Sequence, residues 1–206
     1  MFTGIISALG RVTDVQPLGS GAQHGKRLTI ATPDGWLEDV QPGDSIAIDG
    51  ACMTVTSFER APAHLTVEVS AESLARTARL GEPRTVDLEQ ALRALDRLGG
   101  HLVSGHVDGI GVVARVTPVG ESRELVVRAP RELARFIAYK GSIAIDGVSL
   151  TVNRVADGAE GTELSINVIA HTLEHTTLGS LQAGDRVNLE IDLIARYVER
   201  MLSAGG

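Results

Sequence analysis

Residues 45–58 read SIAIDGACMTVTSF, and residues 142–155 read SIAIDGVSLTVNRV. Eight of the 14 aligned residues are identical, and six of these form an unbroken run. The two stretches lie 97 residues apart, a spacing that matches a small domain and is too long for a solenoid unit. The sequence therefore predicts two tandem copies of one fold, with the chemistry carried by the differences between the copies.

The composition is that of an ordinary globular protein and does not favour binding to nucleic acid. Of 206 residues, 43% are hydrophobic and 22% charged, and the formal net charge is −7. An acidic chain without a basic block is not expected to bind nucleic acid. Cys52 is the single cysteine, which excludes an internal disulfide and is compatible with a reducing cytosol. The N-terminus lacks the basic region of a signal peptide, and no apolar run is long enough to cross a bilayer. We therefore expect a cytoplasmic protein without a membrane partner.

Short apolar alternations recur at matching positions in the two copies. Residues 4–15 predict a first strand, and residues 105–116 predict its counterpart. The Asp-Gly pairs at 49–50 and 146–147 predict a hairpin turn or bulge in each copy. Many short strands separated by Gly, Asp and Pro turns predict a small antiparallel barrel in each half.

Four further features are expected outside these strands. A helical pattern covers residues 89–98 and ends at Gly99-Gly100, and Pro130 starts a short helix. A second long pattern covers residues 192–203, whose apolar stripe fits packing on its own barrel or on another subunit. The loop at Glu82-Pro83-Arg84-Thr85 is shorter than its counterpart at 180–186, which predicts a less stable first barrel.

The polar differences between the copies mark the candidate chemistry. Thr54 and Thr151 agree, whereas Cys52 becomes Ser149 and Ile5 becomes His106. An imidazole titrates near neutral pH, so His106 is the preferred candidate for proton transfer. Cys52 has no basic neighbour in sequence, and an inert buried thiol is the default interpretation.

The other histidines leave an alternative open. His171 and His175 are four residues apart, which on a helix could present two metal ligands on one face. No third ligand completes such a site, so surface histidines are the simpler interpretation. No phosphate-binding loop, Ser-His-Asp signature or zinc ribbon is present. The residues alone predict two unequal small-molecule sites and no metal.

Five segments together resemble one family. They are MFTGI at the start, GGHLVSGHVDG (99–109), YKGSIAIDGVSLTVN (139–153), HTLEHTTLG (171–179) and VNLEIDLIARYVERML (187–202). In order and in tandem arrangement they closely resemble the alpha-chain type of the riboflavin synthase family, over nearly the whole chain. The resemblance implies an all-β fold of two tandem six-stranded antiparallel Greek-key barrels with a C-terminal α-helix. The domains are then expected at 1–100, 101–191 and 192–206.

The same resemblance implies a reaction. Each barrel binds one 6,7-dimethyl-8-ribityllumazine, and one molecule transfers a four-carbon unit to the other. The products are riboflavin and 5-amino-6-(D-ribitylamino)uracil, the last step of riboflavin biosynthesis, without metal or redox cofactor. The C-terminal helices assemble a homotrimer, and the catalytic site forms between barrels of two subunits. Whether a lumazine synthase shell encloses the trimer, and which barrel holds the donor, stays open.

The family motifs carry site residues onto this chain. Catalytic candidates are His106, Ser149, Thr151, Phe2, Ser45 and Cys52, with Asp146 and Asp192 as support behind the site. The pocket of the first barrel is expected to contain Gly4, Ile5, Ile6, Cys52, Met53, Thr54, Glu68, Val69, Ser70, Ala71, Glu72 and Ser73. The pocket of the second is expected to contain Gly105, His106, Val107, Lys140, Ser149, Leu150, Thr151, Asn167, Val168, Ile169, Ala170, His171 and Thr172.

Departures from the family pattern are few. Ala170 stands where proline is common, which predicts a looser turn, and Ser73 stands where threonine is also common. An alternative function is a lumazine- or flavin-binding relative that serves as an optical antenna without catalysis. Such a protein would be expected to have lost one site, whereas both candidate sets are complete here.

Overall fold

In the computed structural model, which describes residues 1–204, the first copy of the repeat forms a closed barrel. Its strands are β1 (Ala8–Pro17), β2 (Lys26–Ala31), β3 (Ser45–Ile48), β4 (Ala51–Arg60), β5 (Ala63–Val69) and β6 (Thr85–Gln90). They pair in the order β1-β2-β5-β4-β3-β6, which is a Greek key closed by antiparallel pairing of β1 with β6. The predicted six-stranded barrel is confirmed for this half.

The second copy forms a sheet of the same topology with one strand divided. Its strands are β7 (Gly109–Val119), β8 (Ser122–Ala129), β9 (Ser142–Ile145), β10 (Val148–Thr151), β11 (Arg154–Gly158), β12 (Gly161–Val168) and β13 (Arg186–Ile191). The order is β10-β9-β13-β7-β8-β12-β11. β10 and β11 together occupy the place of β4 and are separated by Val152 and Asn153. The expected six strands are therefore seven here, although the backbone N–H of Asn153 still donates to the carbonyl of Ser165 at 2.8 Å.

Three α-helices accompany the sheets: α1 (Ala71–Arg76), α2 (Ala170–His175) and α3 (Leu193–Ala204). Short 3-10 helices cover Arg131–Phe136 and Thr177–Ser180. The predicted helix start at Pro130 and the predicted C-terminal helix are both confirmed. Among residues 1–204, no helix combines the length and the apolar character needed to cross a membrane.

The helix expected at residues 89–98 is wrong. β6 continues through Glu89 to Gln90, and residues 91–100 form turns and irregular backbone. The leucine spacing that suggested a helix has no apolar surface to cover, and Leu95 is 98% exposed. Instead, the carboxylate of Glu89 is used inside the protein, as described below.

The two repeated turns meet between the barrels. Asp49 and Gly50 have φ values of 45° and 78°, and Asp146 and Gly147 have values of 46° and 84°. Positive φ at both central residues is the backbone of a type I′ hairpin turn, as the Asp-Gly pairs predict. A Cβ on Gly50 would lie 2.7 Å from the backbone nitrogen of Gly147, and the reverse distance is also 2.7 Å. The identical residues of the repeat therefore form the strands and the contact between two nearly equivalent barrels.

Candidate active site

The segments that precede β1 and β7 cross over to the opposite barrel. The backbone N–H of Ser149 donates to the carbonyl of Gly4 at 2.8 Å, and that of Cys52 donates to the carbonyl of Gly105 at 2.8 Å. Ile6 packs against the core of the second barrel, and Val107 packs against the core of the first. The first strands consequently begin at Ala8 and Gly109, later than the sequence predicts.

This crossing corrects the predicted grouping of the site residues. Gly4, Ile5 and Ile6 were expected in the first pocket, but Gly4 lies against Ser149 and Ile6 packs on the core of the second barrel, whereas Ile5 is exposed and lines a cavity with Trp36. Gly105, His106 and Val107 were expected in the second pocket, but Gly105 lies against Cys52 and Val107 packs on the core of the first barrel. A sequence alignment of the repeats cannot show this exchange, because it pairs equivalent positions of the two copies and carries no information about contacts between them.

Glycine is required at both crossing points. Gly4 has φ of +74° and Gly105 has φ of +80°, a region that side chains disfavour. A Cβ on Gly4 would lie 2.6 Å from Cβ of Ser149, and a Cβ on Gly105 would lie 2.5 Å from Cβ of Cys52. Gly4 therefore touches Ser149, and Gly105 touches Cys52. These two residues occupy the aligned position at which a hydroxyl replaces a thiol.

Around Ser149 the structure assembles a hydrogen-bonded pair that the sequence analysis did not select. Nδ1 of His101 lies 2.7 Å from Oγ of Ser149, and the backbone N–H of His101 donates to the carbonyl of Thr3 at 3.1 Å. Nε2 of His101 is buried without a hydrogen-bond partner in the described structure. Burial lowers the pKa of His101 below its usual value, opposed by the charge of Asp192. The imidazole is therefore mainly neutral at pH 7 and suited to accept a proton.

The remaining candidates of the second barrel divide between two faces. Thr151, Lys140, Asn167, Ile169 and His171 are exposed, and Ala170 and Thr172 are half-buried on α2. Nζ of Lys140 donates to Oδ1 of Asn153 at 2.9 Å, and Oγ of Ser122 lies 2.9 Å from Oδ1 of Asn167. Val168 lies in the core, and Leu150 packs against it. The side chains of Val168 and Leu150 therefore belong to the core beneath the strands that carry the site.

Around Cys52 the site is built differently. Cys52 is partly exposed, so the expected buried thiol is wrong. It packs against a small apolar cluster of Phe2, Ala47, Val103 and Ala144, to which the two copies contribute equivalent residues. Thr54 is exposed on the same side of β4 and faces Ser45 across the β3–β4 ladder. Met53 points the opposite way, into the core.

The outer rim of the first site continues along β5 and α1. Glu68 forms an ion pair with Arg27 at 2.7 Å. Oγ of Ser70 accepts from the backbone N–H of Ser73 at 3.0 Å and so caps α1. Val69 lies in the core, Ala71 is half-buried, and Glu72 is exposed at an ion pair with Arg76. His106 follows Gly105 in the chain and is exposed.

Two buried glutamates hold the crossing segments. Oε1 of Glu89 accepts from the backbone N–H of Thr3 at 2.7 Å and from its hydroxyl at 2.6 Å, and Oε2 accepts from the N–H of Gly4 at 3.0 Å. Glu190 repeats this pattern with Ser104 and Gly105, at 2.6, 2.6 and 2.9 Å. Burial raises the pKa of both carboxyls, and the donors oppose that shift. The repeated VDLE and VNLE sequences contain this signal.

The other repeated acids join the barrels and do not contact the site. Asp49 forms an ion pair with Arg84, a residue of the shortened loop, and accepts from the N–H of Asp87 at 2.8 Å. Asp87 accepts from the N–H and hydroxyl of Thr177 across the interface, at 2.8 and 2.7 Å. Asp146 accepts from the N–H of Asn188 at 2.7 Å. Asp146 therefore supports the turn between the barrels, and the short loop supplies a buried ion pair.

Two further predicted positions have structural roles. Asp192 accepts from the N–H of Ile194 at 2.9 Å and so caps the start of α3. His171 and His175 stack with ring centroids 4.2 Å apart, both exposed. Within residues 1–204, no three His, Cys, Asp or Glu side chains are grouped as metal ligands. The simpler interpretation of this pair, as surface histidines, agrees with the geometry.

Two cavities lie near the crossing segment and the joint between the barrels. One of about 440 Å³ is lined by Thr3, Ile5, Trp36, Glu89 and Arg93. Another of about 400 Å³ lies between the barrels beside Asp146 and Arg84. Neither is lined by Cys52 or Ser149, so these two cavities do not mark the two sites.

The lumazine binding domain model matches the chain twice, at residues 3–91 and 104–192. Riboflavin synthase from Actinobacillus pleuropneumoniae is 41% identical, with 98% of this chain and 90% of that protein covered. The chain belongs to the riboflavin synthase family of lumazine-binding proteins. Riboflavin synthase from Mycobacterium tuberculosis (strain CDC 1551 / Oshkosh) is 42% identical over the full length of both chains.

Solved structures share the fold at lower sequence identity. LumP complexed with riboflavin has a TM-score of 0.81 and 24% identity, covering 93% of this chain and 99% of that one. LumP complexed with 6,7-dimethyl-8-(1'-D-ribityl) lumazine has a TM-score of 0.78 and 23% identity, with the same coverage. The chain therefore shares its overall fold with these two structures.

Proposed function

We propose that the protein is a riboflavin synthase, which converts two molecules of 6,7-dimethyl-8-ribityllumazine into riboflavin and 5-amino-6-(D-ribitylamino)uracil. The observation that carries this proposal is the presence of two equivalent but chemically unequal sites, one at Ser149 and one at Cys52. A reaction between two copies of one molecule needs such a pair, because the copies play different roles. The family membership supports the substrate class.

The polar groups of the second site suit the proton transfer that starts such a reaction. A proton has to leave the 7-methyl group of one lumazine, and a neutral imidazole hydrogen-bonded to a hydroxyl can accept it directly or through that hydroxyl. His101 and Ser149 form such a pair at 2.7 Å. We therefore assign proton removal to His101 and Ser149, with the exposed Thr151 as a hydrogen-bond donor to substrate.

The first site, with a thiol and an exposed threonine, suits a binding role. Cys52 and Thr54 lie side by side on β4, and the rim residues Glu68 and Ser70 are exposed polar groups. We propose that His106 contacts the second lumazine. The two products together contain all the atoms of the two substrates, so the reaction needs no external oxidant or reductant.

A homotrimer would cover the exposed apolar side chains of α3 and bring the two kinds of site together. The outer face of α3 exposes Ile194, Tyr197, Val198, Met201 and Leu202, between 49% and 77%. Its other face is fixed by ion pairs of Arg196 with Asp108 at 2.6 Å and of Glu199 with Arg135 at 2.8 Å. A helix anchored on one side and apolar on the other fits packing against further copies. We propose a cytoplasmic homotrimer. Co-sedimentation with lumazine synthase measures whether the two proteins associate.

The test of the function is direct. The purified protein, treated with a chelator, is incubated with 6,7-dimethyl-8-ribityllumazine, and riboflavin is followed by its absorbance. We expect riboflavin and the uracil product in equal amounts. Tight lumazine binding without turnover would instead support an antenna protein. Truncation after Ile191 is expected to abolish the trimer in analytical ultracentrifugation, and a persisting trimer would exclude α3 as its cause.

A further inference from the structure

Glu89 and Glu190 are the last residues but one of β6 and β13 and lie at equivalent positions of the two repeats. Glu89 holds the segment that crosses to the second barrel, and Glu190 holds the segment that crosses to the first. Glu89 is only 5% exposed and Glu190 only 4%. Each carboxylate accepts three hydrogen bonds from a crossing segment. Charge-assisted bonds of this kind are roughly twice as strong as neutral ones, so these acids fix the backbone that they hold.

Glu89 connects by backbone contacts to the pair that carries the proposed chemistry. It holds the N–H of Thr3, while the carbonyl of Thr3 accepts from the N–H of His101 at 3.1 Å. It also holds the N–H of Gly4, while the carbonyl of Gly4 accepts from the N–H of Ser149 at 2.8 Å. The carbonyl of Thr3 and the N–H of Gly4 belong to one peptide group, so Glu89 directly orients the group that His101 contacts. The carbonyl that Ser149 contacts belongs to the next peptide group, so Glu89 acts on Ser149 through Gly4.

Glu190 makes the corresponding connection to the other site. It holds the N–H of Gly105, while the carbonyl of Gly105 accepts from the N–H of Cys52 at 2.8 Å. The hydroxyl of Ser104 replaces that of Thr3 as the third donor. Within residues 1–204, no histidine donates to this segment as His101 does to Thr3. We therefore expect Glu190 to affect the strand that carries Cys52 and the position of His106, which follows Gly105 in the chain.

We propose that Glu89 and Glu190 are positioning residues that act across the repeat, Glu89 on the Ser149 site of the second barrel and Glu190 on the Cys52 site of the first. The proposal rests on the proposed function for the meaning of the sites, but the contacts themselves do not depend on it. Each site then depends on a carboxylate from the other repeat, and neither barrel alone contains a complete site.

The experiment compares Glu89→Gln with Glu190→Gln and follows the histidine ring resonances by NMR in the absence of substrate. A glutamine amide would face backbone N–H donors, so each substitution breaks part of its set. We expect Glu89→Gln to shift the resonances of His101 and leave His106 unchanged. Glu190→Gln should do the reverse and also change the alkylation rate of Cys52. Assignments come from His101→Gln and His106→Gln.

Milder variants cover the case in which a glutamine substitution prevents folding. Thr3→Val removes one donor to Glu89 while keeping the shape of the side chain, and it should shift His101 in the same direction. Thr3→Ser keeps the hydroxyl, as Ser104 does in the second repeat, and should leave the His101 resonance in place. If His101 stays unmoved in Glu89→Gln and Thr3→Val, or moves equally in Glu190→Gln, the proposal is wrong.

Turnover distinguishes positioning from a general loss of stability. Because a misplacement of about 1 Å can slow a reaction by roughly 100-fold, we expect Glu89→Gln to lower kcat by about 10- to 100-fold with a smaller change in KM. A loss of turnover that merely follows the fraction unfolded would contradict positioning. Failure of the wild type to form riboflavin would refute the proposed function alone, because the resonance shifts are measured without substrate.

Discussion

The Ser149 site and the Cys52 site occupy equivalent places in two copies of one fold, yet their polar groups differ. Ser149 is hydrogen-bonded to His101, whereas Cys52 packs against the Phe2 cluster and lies beside Gly105. The strand order, the Asp-Gly turns and the crossing glycines are the same in both, although β10 and β11 together replace β4 in the second copy. The comparison teaches that the fold is duplicated while a histidine–hydroxyl pair, to which we assign proton transfer, is present only at the Ser149 site within residues 1–204.

The largest difference between the sites should appear in turnover. Ser149→Ala removes the hydroxyl that His101 contacts, and the loss of a positioned proton-transfer group typically costs about 100- to 10,000-fold. Cys52→Ser makes the first site resemble the second and should lower turnover by much less. Steady-state riboflavin formation measures both. Equal losses in the two variants would show that the sites do not divide the chemistry as proposed.

The crossing glycines should dominate stability on both sides. Gly4→Ala forces a side chain into positive φ, at about 1–2 kcal/mol, and against Ser149, at about 1–3 kcal/mol more. Gly105→Ala should cost a similar amount through Cys52. Gly120→Ala is the matched control, because it has φ of +59° and nothing within 4 Å of a new Cβ. Denaturant unfolding should show a clearly smaller loss for Gly120→Ala, and an equal loss would remove the steric argument.

The acids between the barrels should make stability depend on pH. Burial, then the charge of Asp49, raises the pKa of Asp87 to about 7, and burial raises the pKa of Asp49 to about 6 despite Arg84. A folded-state pKa above the unfolded value means that the folded protein holds protons more tightly, so stability falls as pH rises from about 4 to about 7. Deprotonation of this interface therefore weakens the joint between the barrels.

Exchanging the two equivalent residues sharpens this comparison. Asp87→Asn copies Asn188 and should flatten the pH dependence, with a gain on the order of 2 kcal/mol at pH 8 relative to the wild-type trend. Asn188→Asp adds a carboxyl and should steepen it. Thermal unfolding between pH 4 and pH 8 is the measurement. A wild-type stability that rises over this interval would contradict the assignment.

The smallest expected difference lies at the short helices of the two sites. Ser70 caps α1 through its hydroxyl, whereas Ile169 at the same position of α2 provides no side-chain cap. Ser70→Ala should therefore destabilise the protein by about 1 kcal/mol, while Ile169→Ala should show no loss of this origin. Denaturant midpoints compare the two variants, and a cap effect at both positions would contradict the difference in geometry.

The sequence predicts the repeat, the barrels and the C-terminal helix because these follow from local patterns. Alternation specifies strands, Asp-Gly specifies the turns, and the stripe from Leu193 to Leu202 specifies α3. The same reasoning fails at residues 89–98, where leucine spacing imitates a helix while Glu89 is fixed by contacts from the start of the chain.

The sequence predicts several residues of the site, but it does not predict which of them lie together. Cys52 and Ser149 were identified from a difference between the copies, and Thr54 and Thr151 from their agreement beside it. The exchange of residues 4–6 and 105–107 between barrels, and the contact of His101 with Ser149, depend on long-range packing. Such contacts leave no periodic signal in the sequence, although the two matching glutamates at 89 and 190 were visible as a shared feature.

The crossing of the two segments is the central claim, and the single cysteine is a direct probe of it. We would measure the alkylation rate of Cys52 in the wild type, in Gly105→Ala and in Gly4→Ala, at a temperature where all three are folded. Although Gly105 belongs to the second repeat, its substitution should change the rate several-fold, because the new Cβ meets Cys52. Gly4→Ala should leave the rate near that of the wild type. A rate that responds to Gly4→Ala and not to Gly105→Ala would contradict the crossing.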